Sequence, residues 1–105
     1  MTYKVEFLQE SLKELEELDG SLKLFVLKQI KKLSENPELG EPLGNKAGID
    51  LTGFRKIYVF KKKIRIVYKI IEDRIEIIIV SINKREKFKV YEISEKRINN
   101  LWKTK

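Results

Sequence analysis

The sequence predicts an α+β fold, a small β-α-α-β-β-β-α domain with a helical hairpin on one face of a mostly antiparallel sheet and a C-terminal helix. Three observations predict it. Leucines recur at helical spacing through residues 8–33. β-Branched residues alternate at strand spacing from residue 54 to 82. The connections between those β-rich runs are too short for a crossover, so neighbouring strands must run antiparallel. At 105 residues the chain has room for one core and not for two, and residues 1–105 are expected to form a single domain.

Each element has its own signature. Tyr3, Val5 and Phe7 alternate with Lys4 and Glu6, as on a half-buried strand. Leu8, Leu12, Leu15 and Leu18 form the stripe of a first helix, Ser11 and Glu14 have capping-box spacing, and Gly20 ends it. Ser21 is placed to cap a second helix with the stripe Leu22, Phe25, Val26, Gln29, Ile30 and Leu33, which Asn36-Pro37 stops. Residues 37–53 hold both prolines and four of the five glycines, and read as a loop anchored by Leu39, Leu43 and Leu51. Glycine-rich phosphate cradles follow a strand and precede a helix; this segment lies between a helix and a strand.

The strand from Phe54 to Phe60 sets Arg55, Ile57 and Val59 on one face and Phe54, Lys56, Tyr58 and Phe60 on the other. Lys61, Lys62 and Lys63 turn the chain into Ile64–Ile71, where Ile64, Ile66, Tyr68 and Ile70 face away from Arg65, Val67, Lys69 and Ile71. Glu72-Asp73 leads to Arg74–Ile82, apolar on both faces, with Ile75, Ile77 and Ile79 on one and Ile78, Val80 and Ile82 on the other. Such a strand belongs at the centre of a sheet covered on both sides. A last helix, capped by Ser94 and striped by Ile98, Leu101 and Trp102, is placed to cover part of the second face.

Charge narrows the function. Residues 54–91 carry 12 Lys and Arg against 4 Asp and Glu, whereas residues 1–53 carry 7 against 10. The chain's +7 is therefore concentrated on predicted strands, which points to a polyanionic partner. The chain contains no cysteine and no histidine, which removes disulfides, thiol chemistry, Cys/His zinc sites and histidine general-base catalysis. No cofactor is expected. No stretch reads as a signal peptide or bilayer span, so a cytoplasmic protein without membrane contact is expected.

Lys56 and Arg65 fall on neighbouring strands of one hairpin, close enough to meet on one face. Arg85 follows the central strand, and Tyr91 begins the return toward the last helix. Two arginines and a lysine around one spot suit a phosphodiester, since guanidinium groups pair with phosphate and stabilise charge developing on it. A tyrosine beside them serves to stack on a base or move a proton. Tyr68, on the apolar face of its strand, reads as a core residue.

These residues carry a family resemblance. Leu33-Ser34-Glu35-Asn36-Pro37, Leu51-Thr52-Gly53-Phe54-Arg55-Lys56-Ile57, Ile64-Arg65-Ile66-Val67-Tyr68, Lys84-Arg85-Glu86 and Val90-Tyr91 occur in an order and spacing that resemble the RelE-type toxins of the RelE/ParE superfamily, from type II toxin–antitoxin systems. The resemblance implies a twisted, mostly antiparallel sheet with packed helices. It implies a metal-independent endoribonuclease, an mRNA interferase that cuts mRNA in the ribosomal A site. There the 2′-hydroxyl attacks the adjacent phosphate to leave a 2′,3′-cyclic phosphate and a 5′-hydroxyl. Lys56, Arg65, Arg85 and Tyr91 match the family's catalytic positions. Tyr58, Lys61, Lys62, Lys63, Lys84, Lys87 and Lys89 are the candidate substrate-binding residues. One departure stands out: where the best-studied ribonucleases carry a second lysine, this chain has Tyr58. Arg55 points to the other face and is assigned a structural or antitoxin-binding role. The implied partners are a cognate antitoxin, mRNA and ribosomal RNA. The antitoxin would displace the Ser94–Trp102 helix or mask the basic face. The superfamily also includes ParE-type toxins of DNA gyrase, which lack the ribonuclease residues. A gyrase toxin and a catalytically inactive antitoxin-binding module are therefore the alternatives.

Overall fold

A computed structural model describes residues 2–46, 48–59 and 63–84, without the side chains of residues 45, 46 and 84. Strand β1 (Lys4–Phe7) leads into helices α1 (Gln9–Glu16) and α2 (Gly20–Glu35), a 3₁₀ turn (Pro37–Leu39), strands β2 (Glu41–Lys46), β3 (Ile49–Val59) and β4 (Ile64–Ile71), a second 3₁₀ turn (Glu72–Arg74), and strand β5 (Glu76–Lys84). The five strands form one sheet in the order β1-β5-β4-β3-β2. The predicted β3-β4-β5 meander is present, and β1 joins it parallel to β5. The predicted C-terminal helix at 94–102 and Phe60 lie outside the described residues.

The helices pack on one face. Leu15 of α1 and Val26, Ile30 and Leu33 of α2 meet Ile64, Ile66, Tyr68, Ile77, Ile79 and Ile82 in one core. Burial of each such aliphatic side chain contributes about 1.5–3 kcal/mol. Not every predicted stripe residue belongs to this core, and Leu8 joins the opposite face. Leu12 and Phe25 are 42% and 47% exposed, because each helix presents only a narrow ridge to the sheet. A second apolar cluster occupies the opposite face, where Phe54, Val67, Ile78 and Val80 meet Leu8, Leu43 and Leu51. Strand β5 is thus buried on both faces, as its composition predicts.

The helix ends differ from expectation. Asp19 caps α2, its carboxylate accepting from the Leu22 N–H at 3.0 Å, so Gly20 begins that helix rather than ending the one before. Ser11 does not cap α1, which starts after Leu8. Its buried hydroxyl lies 2.8 Å from both the Leu8 and Ile79 carbonyls. The Glu14 carboxylate accepts from the Ile82 N–H at 3.1 Å. β1 pairs with β5 only as far as Ile79, and these two α1 side chains bond to the β5 backbone at and beyond that point.

The segment expected to be a loop is mostly strand. β2 and the first residues of β3 form a hairpin, with Gly48 in the left-handed region (φ 79°) at its turn. Pairing slips beside Gly53 (φ 90°), where β3 carries extra residues and the Asp50 carboxylate accepts from the Thr52 N–H and hydroxyl. Gly48 and Gly53 therefore mark a turn and a bulge instead of an irregular stretch. Leu43 and Leu51 are buried anchors as expected, whereas Leu39 is 47% exposed. A bulge at Val80 shifts the β4–β5 register between Val67 and Tyr68. It moves Ile82 to the helix side, with Ile77 and Ile79, away from its predicted companions Ile78 and Val80. Ile75 is not a strand residue: it ends the 3₁₀ turn Glu72–Arg74 with φ 49° and is exposed.

Candidate functional site

The β3–β4 register builds the site. Strand β3 ends at Val59 opposite Ile64, which sets Tyr58 across from Arg65, Lys56 across from Val67 and Phe54 across from Lys69. Directly paired residues share a face, so Lys56, Tyr58, Arg65 and Lys69 all stand on the sheet face away from the helical core. Lys56 and Arg65, expected to pair, do not stand opposite each other: Lys56 lies across from Val67 and Arg65 across from Tyr58, and each cation approaches Tyr58 instead. Arg65 Nη2 donates to the Tyr58 hydroxyl oxygen at 3.3 Å. The Arg65 guanidinium carbon lies 5.5 Å, and Lys56 Nζ 5.3 Å, from the centre of the Tyr58 ring.

Arg65 is only 4% exposed, an unusual environment for a strand arginine. A guanidinium withdrawn from water needs polar partners, and Tyr58 is one of them. The phenol feels both cations. Burial alone would raise its pKa; hydrogen bonds from Lys56 and Arg65, with their positive charge, outweigh burial and hold it below the usual 10.0. Farther along the face, Lys69 Nζ sits 4.8 Å from the centre of the Phe54 ring. Lys69 is a cation of this face that the sequence-derived site omitted, although its spacing of four residues from Arg65 along β4 places both on one side. Glu41 of β2 lies across from Lys56, and Asn83 of β5 across from Arg65.

The other predicted site residues divide clearly. Lys63 is exposed at the β3–β4 turn. Lys84 pairs with Ile64 through its backbone, one position from Asn83. Arg85, Tyr91, Lys61, Lys62, Lys87 and Lys89 lie outside the described residues.

On the helical face of the same hairpin, Arg55 pairs with Tyr68. Arg55 Nη1 donates to the Gly40 carbonyl at 2.7 Å and the Glu38 carbonyl at 3.4 Å. The fully buried Tyr68 hydroxyl donates to the Pro37 carbonyl at 2.5 Å and accepts from the Gly40 N–H at 2.9 Å. Burial raises the Tyr68 pKa against the smaller opposing effects of the Gly40 N–H and Arg55. Tyr68 is a core residue, as predicted, and Arg55 takes the structural half of its expected role.

Chemically, the Lys56–Tyr58–Arg65 group offers two fixed positive charges for an anion and, between them, an oxygen that carries or accepts a proton. No described helix is long and apolar enough to cross a membrane.

Comparisons with known proteins converge on one family. Residues 5–87 match the family described as the ParE toxin of type II toxin–antitoxin systems, parDE. The chain is 29% identical over 101 residues to the mRNA interferase toxin RelE of Escherichia coli, covering 93% of this chain and 99% of that one. It also resembles the solved structure of a free-state mutant of the E. coli toxin RelE, with a TM-score of 0.76 and 26% identity over 93% of this chain and 99% of that one. The intact E. coli RelBE toxin–antitoxin complex contains a chain of the same fold, with a TM-score of 0.68 at 22% identity over 81% of this chain and 99% of that chain.

Proposed function

Because the chain belongs to the RelE/ParE superfamily of type II toxin–antitoxin toxins, we propose that it is an mRNA endoribonuclease that acts on the ribosome and is neutralised by a cognate antitoxin. The observation that carries this reading is the nearly buried Arg65 guanidinium, joined to Tyr58 with Lys56 alongside. A gyrase inhibitor needs no such convergence, whereas phosphoryl transfer needs charge placed before the reaction begins. Lys56 and Arg65 would hold the scissile phosphate and stabilise its transition state, with Arg85 completing the cationic group and Tyr91 orienting the cleaved nucleotide. The attacking 2′-oxygen belongs to the RNA, so the protein's task is positioning, charge stabilisation and proton transfer. Lys61, Lys62, Lys63, Lys84, Lys87 and Lys89 would contact RNA phosphates, giving binding that weakens with salt. The antitoxin would mask this basic face or displace the 94–102 segment. The whole chain would work as a single toxin domain in the cytoplasm.

The test is primer extension on a defined mRNA in a reconstituted translation mixture, with and without ribosomes, using wild type, Arg65→Ala and Arg85→Ala. Cuts within codons that require ribosomes and disappear in both variants are expected. Intact mRNA with wild-type protein overturns the ribonuclease reading and directs the next assay to gyrase supercoiling, since the matching family is described by its ParE toxins.

A further inference from the structure

We infer that the phenolic oxygen of Tyr58 is the proton acceptor for the attacking 2′-hydroxyl, an inference that rests on the ribonuclease reading. A base must own a lone pair that a proton can occupy near neutral pH. Among the described residues of this face, Lys56, Arg65 and Lys69 are cations whose lone pairs are engaged or delocalised. Tyr58 lies close to two of them and presents a titratable oxygen in direct contact with Arg65. Both cations favour its anionic form, and its pKa is correspondingly lowered despite burial. Among the described residues, the other charged groups nearby are Glu41, across from Lys56, and Lys63 at the turn; Asn83, across from Arg65, is neutral.

The step balances. The 2′-hydroxyl proton passes to the Tyr58 phenolate as the 2′-oxygen bonds to phosphorus. The bond from phosphorus to the 5′-oxygen of the next nucleotide breaks, and that oxygen leaves with a proton taken from solvent. Arg65 and Lys56 meet the charge that builds on the phosphate, and Tyr58 then returns its proton to solvent. The cations thus have two roles, holding the phosphate and keeping the base available. The position where relatives carry a second lysine is filled by a group that reaches its basic form by a different route.

Tyr58→Phe separates this role from base stacking, because phenylalanine keeps the ring and loses the oxygen. Single-turnover cleavage on mRNA-programmed ribosomes, with folding checked by circular dichroism, is measured from pH 6 to 8. For wild type, cleavage is expected to rise with pH across this range, since the phenolate is the active form. Tyr58→Phe is expected to cut about 100-fold more slowly and to lose that slope. Tyr58→His supplies a base whose ordinary pKa of about 6.5 the same two cations lower further, so its rate should already be level across this range. Tyr58→Phe within about threefold of wild type, or Tyr58→His with the wild-type profile, overturns the inference while leaving the ribonuclease reading intact. Wild-type protein that cuts no mRNA overturns both.

Discussion

The two faces of the β3–β4 hairpin carry the same pair of residue types and use them in opposite ways. On the helical face Arg55 stands across from Tyr68; on the other face Arg65 stands across from Tyr58. The first pair spends its polar groups on backbone. Tyr68 bridges the Pro37 carbonyl and the Gly40 N–H, and Arg55 holds the Glu38 and Gly40 carbonyls, so together they fasten the turn after α2 to the sheet. In the second pair, arginine and tyrosine contact each other, with Lys56 beside them. The phenol pKa values diverge accordingly, up for Tyr68 and down for Tyr58. Residue type therefore decides little here. A tyrosine surrounded by carbonyls and aliphatic side chains is a rivet, and one between two cations is an acid–base group.

The sharpest test of this contrast exchanges the arginines. Arg65→Ala is expected to lower mRNA cleavage on ribosomes by about 100–1000-fold, the usual effect of removing a preorganised charge from a transition state. Arg55→Ala should leave cleavage per folded molecule within about threefold while lowering stability by about 1–3 kcal/mol through its released carbonyls. Single-turnover rates set against urea midpoints separate the two effects. Equal loss of activity in both variants would break the assignment of the faces.

Gly40 is where the two faces touch. A Cβ there would lie 2.5 Å from the Tyr68 hydroxyl and 2.7 Å from the Lys56 carbonyl oxygen. The second neighbour is backbone of the very residue whose side chain stands on the candidate site. Gly40→Ala is expected to destabilise the fold by about 1–3 kcal/mol through overpacking and to slow cleavage as well, because strand β3 must shift at Lys56. Thermal melts and cleavage rates on the same preparations check this. A stability loss with an unaltered rate would show that the faces are mechanically independent.

How much of this could be read from the chain follows from what period-two alternation encodes. Alternation places Lys56, Tyr58 and Arg65 on one face and Arg55 and Tyr68 on the other, and the structure agrees. Alternation is silent on register, which depends on where the turn closes. Pairing of Val59 with Ile64 inserted Tyr58 between the two predicted catalytic cations. It is equally silent on bulges, so the extra residue at Val80 sent Ile82 to the other face without any mark in composition. Residues 41–53 misled for a related reason: their glycines and prolines read as loop punctuation, while Leu43 and Leu51 were holding a hairpin to the second core. The low exposure of Arg65 was not legible at all, because strand position reveals a face and not what covers it.

Tyr68→Phe tests the rivet from the tyrosine side. It deletes a single oxygen from the core and leaves the Gly40 N–H and Pro37 carbonyl, both bound to that oxygen, without it. A loss of about 1–2 kcal/mol is expected, with cleavage unchanged, in contrast to the large loss of rate and small loss of stability expected for Tyr58→Phe. Urea denaturation of the two phenylalanine variants side by side makes the comparison. The smallest effect belongs to Arg55→Lys. Lysine keeps the charge but replaces the rigid guanidinium, whose Nη1 donates to both carbonyls, with a compact ammonium on a flexible stem. Its single ammonium head is expected to satisfy the nearer Gly40 carbonyl and leave Glu38, which lies at the exposed end, to water. The cost should then be about 0.5–1 kcal/mol, since the abandoned acceptor is not buried. A larger shift in the urea midpoint would mean that the Arg55 guanidinium, rather than the Tyr68 hydroxyl, is the main tie between the turn and the sheet.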